Sequence, residues 1–237
     1  MLLEVLVFRS LFRNTKTEKQ GEALGVGSAK WLWLGALVFH WSMLIIVLRH
    51  LRFFLEPVPG AIMALEGADA FFQIGLPALY LTDLLIVSAL TFLFVRRVVI
   101  PRVRYLSLPN DFFPLFLLLG VVIAGIAMRY FFRVDIEGVK EVAMGLVTLH
   151  PVVVAGIGPI FYVHLFLASV LIGYFPWSKL MHAGGIVLSP TRNQANDSRA
   201  VRHVNPWNPD LPVHTYAEYE DEFKDKLVKA GLPLDAE

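Results

Sequence analysis

The stretch WLWLGALVFHWSMLIIVL, residues Trp31–Leu48, contains no charged residue. As an α-helix these residues would rise about 27 Å, close to the roughly 30 Å thickness of a bilayer's hydrocarbon core. The whole chain has the same character, since 56% of its 237 residues are hydrophobic and only 17% are charged. A soluble domain carries about 25% charged residues, so the sequence predicts an integral membrane protein.

Four windows approach the length and apolarity of a membrane-spanning helix. They are Trp31–Phe54, Ile74–Val95 with Asp83 inside it, Phe112–Phe132 with Arg129 inside it, and about Val152–Tyr174. The last window lies within Val142–Ser178, a run without Asp, Glu, Lys or Arg that is too long for one span. We expect His150-Pro151 to break this run, because the residue before a proline disfavours helix. The sequence therefore predicts an all-α integral membrane fold, a bundle of four transmembrane helices.

The chain divides by composition into three parts. Residues 1–30 form an N-terminal interfacial or cytoplasmic segment, with a short interfacial helix predicted over Met1–Phe12. Residues 31–183 form the transmembrane domain, and residues 184–237 form a polar tail with a charged helix predicted at Tyr216–Ala230. A tail of roughly 50 residues is too small for a stable domain of its own. We expect it to pack on a partner subunit.

Lysine and arginine are concentrated before the first span, in the loop after the second span and in the tail. The first outer loop, Leu55–Gln73, instead has three acidic residues and neither Lys nor Arg. Because positive loops stay in the cytoplasm, we predict a multi-pass protein of the cytoplasmic (inner) membrane with both termini cytoplasmic. Membrane lipid is its expected surrounding, and a net charge of +1 gives no reason to expect a nucleic-acid partner.

The sequence has no cysteine. Disulfides, an iron–sulfur cluster bound by this chain and covalent haem attachment through C-x-x-C-H are therefore excluded. Any haem would be bound non-covalently, and any cluster would belong to a partner.

Four of the seven histidines lie in the spans or at their ends: His40, His50, His164 and His182. The first two are 10 residues apart, a rise of about 15 Å, and the last two are 18 apart, which is five helical turns and about 27 Å. On antiparallel helices His50 would meet His164 near the outer surface, and His40 would meet His182 nearer the cytoplasm. Each pair supplies two axial imidazoles to one iron, which predicts two bis-His haems b. Helix tilt, side-chain reach and a kink at Pro176 must absorb the difference in rise.

Three other readings of the histidines are open. Any single one could bond to backbone or loop groups. A metal transporter would gather His and Asp at the midplane on broken helices, whereas these histidines fall at two depths. A membrane anchor for a catalytic subunit, without a redox role of its own, is the remaining alternative.

The spacing and the flanking residues resemble the NarI family, the dihaem cytochrome b subunits of respiratory nitrate reductases. Leu34–His50 fits the span with two histidines 10 apart, and His164–His182, ending in FPWSKLMH, fits the last span with two histidines 18 apart. Three motifs are similar to the DsrM branch of this family: LRHLRFF at Leu48–Phe54, SPTRN at Ser189–Asn193 and RHVNPW at Arg202–Trp207.

This resemblance implies a five-span fold with two haems b and with menaquinol or menaquinone as redox partner. It further implies a cytoplasmic DsrK-like iron–sulfur subunit resembling heterodisulfide reductase. DsrJ-, DsrO- and DsrP-like subunits, a link to DsrC and a role in dissimilatory sulfur or sulfite metabolism are implied in the same way. The family usually has another span before the one that carries the first two histidines. Either this chain starts late relative to the family, or this version lacks that helix.

Arg49 and Arg52 flank His50 and are candidate partners of the haem propionates, because arginine binds carboxylates in bidentate fashion. Interfacial snorkelling is the alternative for both. Asp83, with Tyr80 one turn earlier, is a candidate acceptor of the protons that a quinol loses on oxidation, since a desolvated carboxylate has a raised pKa. A structural hydrogen bond to a neighbouring helix is the alternative for Asp83.

The other polar and small residues have simpler interpretations. His150 is read as a loop histidine, and Gly156–Pro159 as a site of close helix approach. Trp31, Trp33 and Trp177 are read as interface anchors. His203 and His214, with the basic residues of the tail, are candidate contacts of the cluster-bearing subunit.

Overall fold

The computed structural model describes residues 2–20, 23–72, 77–188 and 212–235. Contacts divide the chain into two compact units, Met1–Asn193 and Gln194–Glu237. The first unit contains four long helices: α3 (Lys30–His50), α5 (Leu81–Val99), α7 (Pro109–Ile126) and α9 (Pro159–Tyr174). Its shorter helices are α1 (Leu2–Val7), α2 (Arg9–Arg13), α4 (Gly60–Asp69), α6 (Pro101–Leu106), α8 (Ile136–Val147) and α10 (His182–Leu188).

The four long helices pack in chain order, α3 on α5, α5 on α7 and α7 on α9. Their shared core is centred on Ile86, Leu90 and Leu118, which are almost completely buried. Phe39 of α3 and Leu171 of α9 pack against this cluster. All four helices therefore contribute apolar side chains to one interior, and the predicted all-α membrane fold is confirmed.

Three helices of the described residues are long and apolar enough to cross a membrane: Lys30–Phe53, Pro109–Phe131 and Pro159–Trp177. The fourth long helix, α5, has 19 residues but carries Asp83 in its first turn and Arg96 and Arg97 in its last. These charges lie at its two ends, so the apolar middle of α5 still packs within the bundle beside α3 and α7.

The second span was predicted to begin at Ile74, but helix α5 begins later, at Leu81. Strand β3 (Ala70–Phe72) pairs antiparallel with strand β4 (Leu79–Tyr80), and α5 begins only at Leu81. Leu79 and Tyr80, just before α5, therefore belong to this small hairpin and not to a helix. As a consequence, Asp83, which the sequence placed inside the span, lies in the first turn of α5.

The long apolar run is broken where the sequence predicted. Helix α8 ends at Val147, Pro151 lies in the following loop, and α9 begins at Pro159. The predicted kink at Pro176 is present, because α9 ends at Tyr174 and His164 and His182 do not lie on one continuous helix. Two short 3₁₀ turns, Phe175–Trp177 and Lys179–Met181, lead to His182 and are separated by Ser178 in an extended conformation.

The third predicted span is α7, which continues into a π-helical turn at Ala127–Phe131. At its other end Asp111 accepts a hydrogen bond from Lys179 Nζ at 2.7 Å. Asp111 also lies 3.8 Å from Arg97 Nη1. The start of α7 is thus tied to the end of α5 and to the turn that follows α9.

The N-terminal residues form two short helices where one interfacial helix was predicted. A hairpin that the sequence did not predict follows them, with strand β1 (Thr15–Gln20) paired to strand β2 (Ala23–Ser28). The indole nitrogens of Trp33 and Trp41 donate to the carbonyl oxygens of Val7 and Leu6 at 2.7 and 3.0 Å. The N-terminal helices therefore lie against α3.

In the second unit, helix α11 (Tyr216–Lys229) closely matches the predicted charged helix. Its N-terminus is held by a reciprocal pair, in which Thr215 Oγ1 accepts from the Glu218 amide and Glu218 Oε2 accepts from the Thr215 amide. The motifs at Ser189–Asn193 and Arg202–Trp207, and His203 with them, lie outside the described residues.

Two glycines, Gly145 beside the turn after α8 and Gly67 in α4, should respond differently to substitution by alanine. A Cβ atom at Gly145 would lie 2.8 Å from the His150 carbonyl oxygen and 3.3 Å from the Val152 amide nitrogen, so Gly145→Ala should be destabilising. At Gly67 in α4 a Cβ meets nothing within 4 Å, so Gly67→Ala should stabilise by about 0.5–1 kcal/mol through helix propensity. Unfolding of both variants in mixed detergent micelles measures the difference. Equal stability of the two variants would contradict the packing at Gly145.

Candidate functional site

The imidazoles of His50 and His164 face each other at one end of the bundle. His50 is the last residue of α3 and His164 lies in the second turn of α9. Their rings are stacked, with centroids 6.3 Å apart and planes inclined by 19°. A Cβ atom at Gly125 of α7 would lie 3.3 Å from His164 Cε1, so the glycine leaves room for this ring.

His40 of α3 and His182 at the start of α10 form a second pair. Their Nε2 atoms are 3.4 Å apart and their ring planes are nearly perpendicular, at 86°. His40 lies in the middle of α3, whereas His182 reaches it only because the chain bends after Tyr174. The bend resolves the mismatch in helical rise, since His182 does not have to stand five full turns from His164.

All four imidazoles are oriented in the same way, through a hydrogen bond from Nδ1 to a backbone carbonyl oxygen. The acceptors are Ala36 for His40, Ile46 for His50, Val121 for His164 and Lys179 for His182, at 2.7, 2.7, 3.0 and 3.0 Å. A carbonyl oxygen only accepts, so each Nδ1 carries the hydrogen. In the neutral ring this leaves the Nε2 lone pair free, which is the arrangement of a histidine that binds a metal.

These donors fit an iron that lies between two imidazoles. A bond of about 2 Å from metal to imidazole nitrogen places two nitrogens on opposite sides of the metal about 4 Å apart. The Nε2 atoms of His40 and His182 need to separate by only a few tenths of an ångström to reach that distance. Among the described residues, no group of three or more His, Asp or Glu is arranged to hold a metal ion. Two imidazoles alone suit a metal that brings its own equatorial ligands, as haem iron does.

A buried charge network lies beside the pair of His50 and His164, centred on Arg49. Its Nη1 is 2.5 Å from Asp69 Oδ2 and its Nη2 is 3.3 Å from Asp83 Oδ1. Asp69 also accepts from the Thr82 amide at 2.9 Å and from the Thr82 hydroxyl at 2.6 Å. The network joins the ends of α3 and α4 to the start of α5. Arg49, at its centre, directly precedes His50 in the chain.

Two tyrosines extend the network. Tyr130 donates to Asp83 Oδ2 at 2.8 Å, and Tyr80 donates to Glu66 Oε1 at 2.5 Å. The guanidinium carbons of Arg49 and Arg129 each lie 3.7 Å from the centroid of the Tyr80 ring. Burial and the hydrogen bond to Glu66 raise the pKa of Tyr80 to about 12. Tyr80 therefore keeps its proton at neutral pH and acts as a hydrogen-bond donor.

The two arginines predicted to bind haem propionates instead form ion pairs with carboxylates of the protein. Arg49 holds Asp69 and Asp83, and Arg52 forms a short ion pair with Glu66. Their role toward propionates, and that of Asp83 as a proton acceptor, stay predictions. Asp69 and Glu66 were not predicted as partners of these arginines, because the acidic residues of Leu55–Gln73 indicated only the topology.

The remaining candidates do not join the site. His150 is exposed and its Nδ1 bonds to the Thr148 carbonyl oxygen at 2.7 Å. Trp31 and Trp177 are exposed on the bundle surface, as expected of interface anchors. His214 is exposed in the second unit.

The network predicts unequal roles for two arginines. Arg49→Leu leaves two buried carboxylates without their cation and should lower the free energy of unfolding by about 3–5 kcal/mol, since the Arg49 side chain is only 9% exposed. Arg52→Leu should cost less than about 1 kcal/mol, because the Arg52 side chain is 33% exposed. Parallel unfolding experiments in mixed micelles test this order. A larger effect at Arg52 would contradict it.

Comparison with known proteins identifies the family of this chain. Residues 1–195 match the nitrate reductase gamma subunit family. The Hdr-like menaquinol oxidoreductase cytochrome b-like subunit of Archaeoglobus fulgidus is 50% identical over 218 residues, which is 90% of this chain. The protein of the same name from Archaeoglobus profundus is 41% identical over 219 residues, also 90% of this chain.

The chain spans 65% of the length of each of these two relatives. The family match, however, covers all four long helices and all four of the facing histidines. This chain therefore belongs to the nitrate reductase gamma subunit family.

Proposed function

We propose that this chain is a membrane cytochrome b subunit that carries electrons between menaquinol and a cytoplasmic iron–sulfur subunit through two bis-His haems b. One observation carries the proposal. At two depths of one bundle, two imidazoles face each other with Nδ1 bonded to a backbone carbonyl, and in one of the pairs the Nε2 atoms of His40 and His182 are 3.4 Å apart.

The protein residues would act as ligands and as the surrounding medium. Bound haem would supply one-electron redox chemistry, and its iron would be held by His50 with His164 in one site and by His40 with His182 in the other. Such a site has no open coordination position for a substrate, which favours electron transfer over catalysis at the metal. The carbonyl bonds to Nδ1 hold each ring in the tautomer and orientation that ligation requires.

The two depths suit transfer across a bilayer. His40 and His50 are 10 residues apart on α3, a rise of about 15 Å, so one pair lies nearer each membrane surface. The names of the two relatives, which specify a menaquinol oxidoreductase, support menaquinol as the electron donor. The acidic outer loop and the basic inner loops support an outer position for His50 and His164, with both termini in the cytoplasm.

The partner subunits are inferred in the same way. The name "Hdr-like" of the relatives supports a cytoplasmic iron–sulfur subunit related to heterodisulfide reductase, as DsrK is. DsrJ-, DsrO- and DsrP-like subunits and a place in dissimilatory sulfur or sulfite metabolism rest on the motifs shared with the DsrM branch. The inner basic segments and helix α11 are the surfaces of this chain available to such a partner.

Single histidine substitutions test the ligand assignment. Purified wild-type protein should contain two haems b per chain by pyridine haemochrome assay. His50→Ala and His164→Ala should each remove the outer haem, and His40→Ala and His182→Ala the inner one, because each leaves an iron with one axial ligand. His150→Ala is the matched control and should keep both haems. A folded wild-type protein without haem would favour an anchor subunit over an electron carrier.

The glycine beside His164 offers a finer test. Gly125→Ala places a methyl group against the His164 ring and should shift the midpoint potential and the low-temperature spectrum of the outer haem alone. Gly120→Ala, on the same helix, adds a methyl group that meets Leu167 at an ordinary 3.4 Å and should change neither haem. A shift confined to the inner haem in Gly125→Ala would contradict the pairing of His164 with His50.

A further inference from the structure

The segment between α7 and α9 ends in an apolar tip, residues 146–153, formed by the end of α8 and the residues after it. The charged side chains of α8 are confined to its first half, at Glu137, Lys140 and Glu141. The chain from Val142 to Ser178 has no Asp, Glu, Lys or Arg. Helix α8 is therefore charged at its start and uncharged where it meets the tip.

Large apolar side chains are exposed at this tip. They are Leu146, Val147, Leu149 and Val153. Leu149 is 85% exposed and Val153 is 92% exposed, although both lie between the membrane-spanning helices and not within them. An exposed cluster of apolar side chains indicates a contact with lipid or with another protein.

The backbone at Leu149 adds to this indication. Its φ is +60°, in the left-handed region, at the position just after the C-cap of α8. Helices usually place glycine there, because a residue with a Cβ atom is strained in this conformation. The exposed leucine side chain gains little packing within the chain in return. A contact outside the chain would account for a leucine at this position.

The backbone amides of the tip are paired within the protein. The donors and their carbonyl acceptors are Thr148 to Met144, Leu149 to Leu146 and His150 to Gly145, at 2.9, 3.3 and 2.8 Å. Pro151, which follows, has no amide hydrogen, and His150 Nδ1 bonds to the Thr148 carbonyl oxygen at 2.7 Å. Donors that face lipid must be paired inside the protein, whereas donors that face water can bond to water. The turn therefore suits an apolar surrounding.

Lipid fits the tip better than a protein partner does. A protein interface typically surrounds its apolar centre with a polar rim. The tip instead continues without a charged residue into α9, which begins at Pro159 and is part of a membrane-spanning length. On the other side, the charged half of α8 is held to the protein by an ion pair between Lys140 and Glu56. Amphipathic helices at a membrane surface bury their apolar part about 5–10 Å deep, at the boundary of headgroups and acyl chains.

We propose that residues 146–153 insert into the lipid leaflet at the end of the bundle that carries His164, down to the boundary of headgroups and acyl chains. The charged half of α8 stays in the headgroup layer. A Cβ atom at Gly138 would lie 3.1 Å from Val154 Cγ1 and 3.5 Å from Ile157 Cδ1, so α8 packs closely on the segment that leads into α9. The inserted tip therefore fixes the depth at which α9 enters the membrane. This inference goes beyond the proposed function and does not depend on haem or quinol.

Single cysteines can report on the tip, because the chain has no cysteine of its own. Leu149→Cys and Val153→Cys are spin-labelled in the purified full-length protein and reconstituted into vesicles of phosphatidylcholine and phosphatidylglycerol. Glu137→Cys, on the exposed charged half of α8, is the reference for water. Phe166→Cys, at a position of α9 that is 66% exposed, is the reference for lipid. Power saturation measures the collision rate of each label with oxygen, which partitions into lipid, and with a water-soluble nickel chelate.

The ratio of oxygen to nickel collision rates at Leu149 and Val153 should be several-fold higher than at Glu137. It should stay below the ratio at Phe166, because the tip lies only about 5–10 Å deep. A ratio equal to that at Glu137 would place the tip in water and overturn the inference. Dipolar broadening between tip labels, removed by dilution with unlabelled protein, would show that a second copy of the chain covers the tip and would also overturn it. Neither outcome would affect the haem content on which the proposed function is tested.

Discussion

Every polar group within an apolar bundle must find its partner inside the protein, and this constraint organises the structure. The four imidazoles meet it by donating Nδ1 to backbone carbonyl oxygens, three of them within three or four residues on their own segment. His164 alone reaches another helix, at the Val121 carbonyl of α7. Once Nδ1 is satisfied in this way, the Nε2 lone pair is left free, and the Nε2 atoms of His40 and His182 are 3.4 Å apart.

The same constraint explains the ion pairs at the end of the bundle that carries His50. Arg49 is almost fully buried and would be costly there without anions, so Asp69 from α4 and Asp83 from α5 converge on it. Their convergence holds three segments of the chain together beside His50. One buried cation therefore links the packing of α4 against α5 to the surroundings of His50.

The end of the bundle near His182 is organised by the point at which helix α9 ends. Helix α9 stops at Tyr174, and the two short turns that follow turn the chain back toward α3. Asp111 at the start of α7 accepts from Lys179 within the second of these turns. This contact stabilises the segment in which His182 contacts His40. A straight helix would have carried His182 beyond His40, because 18 residues rise about 27 Å whereas His40 and His50 are separated by about 15 Å.

The sequence by itself determined the membrane class, the helical fold, the break near Pro151 and the family, because these depend on local composition, helical spacing and short motifs. It also suggested which histidines would meet, since the antiparallel order of the spans follows from short loops. Only the tertiary structure decided that α5 starts at Leu81, that α9 ends before His182, and that Arg49 holds Asp69 and Asp83. These features depend on contacts between residues far apart in the chain, such as the β3–β4 pairing and the ion pairs of Arg49. The hydropathy of a single window carries no information about such contacts.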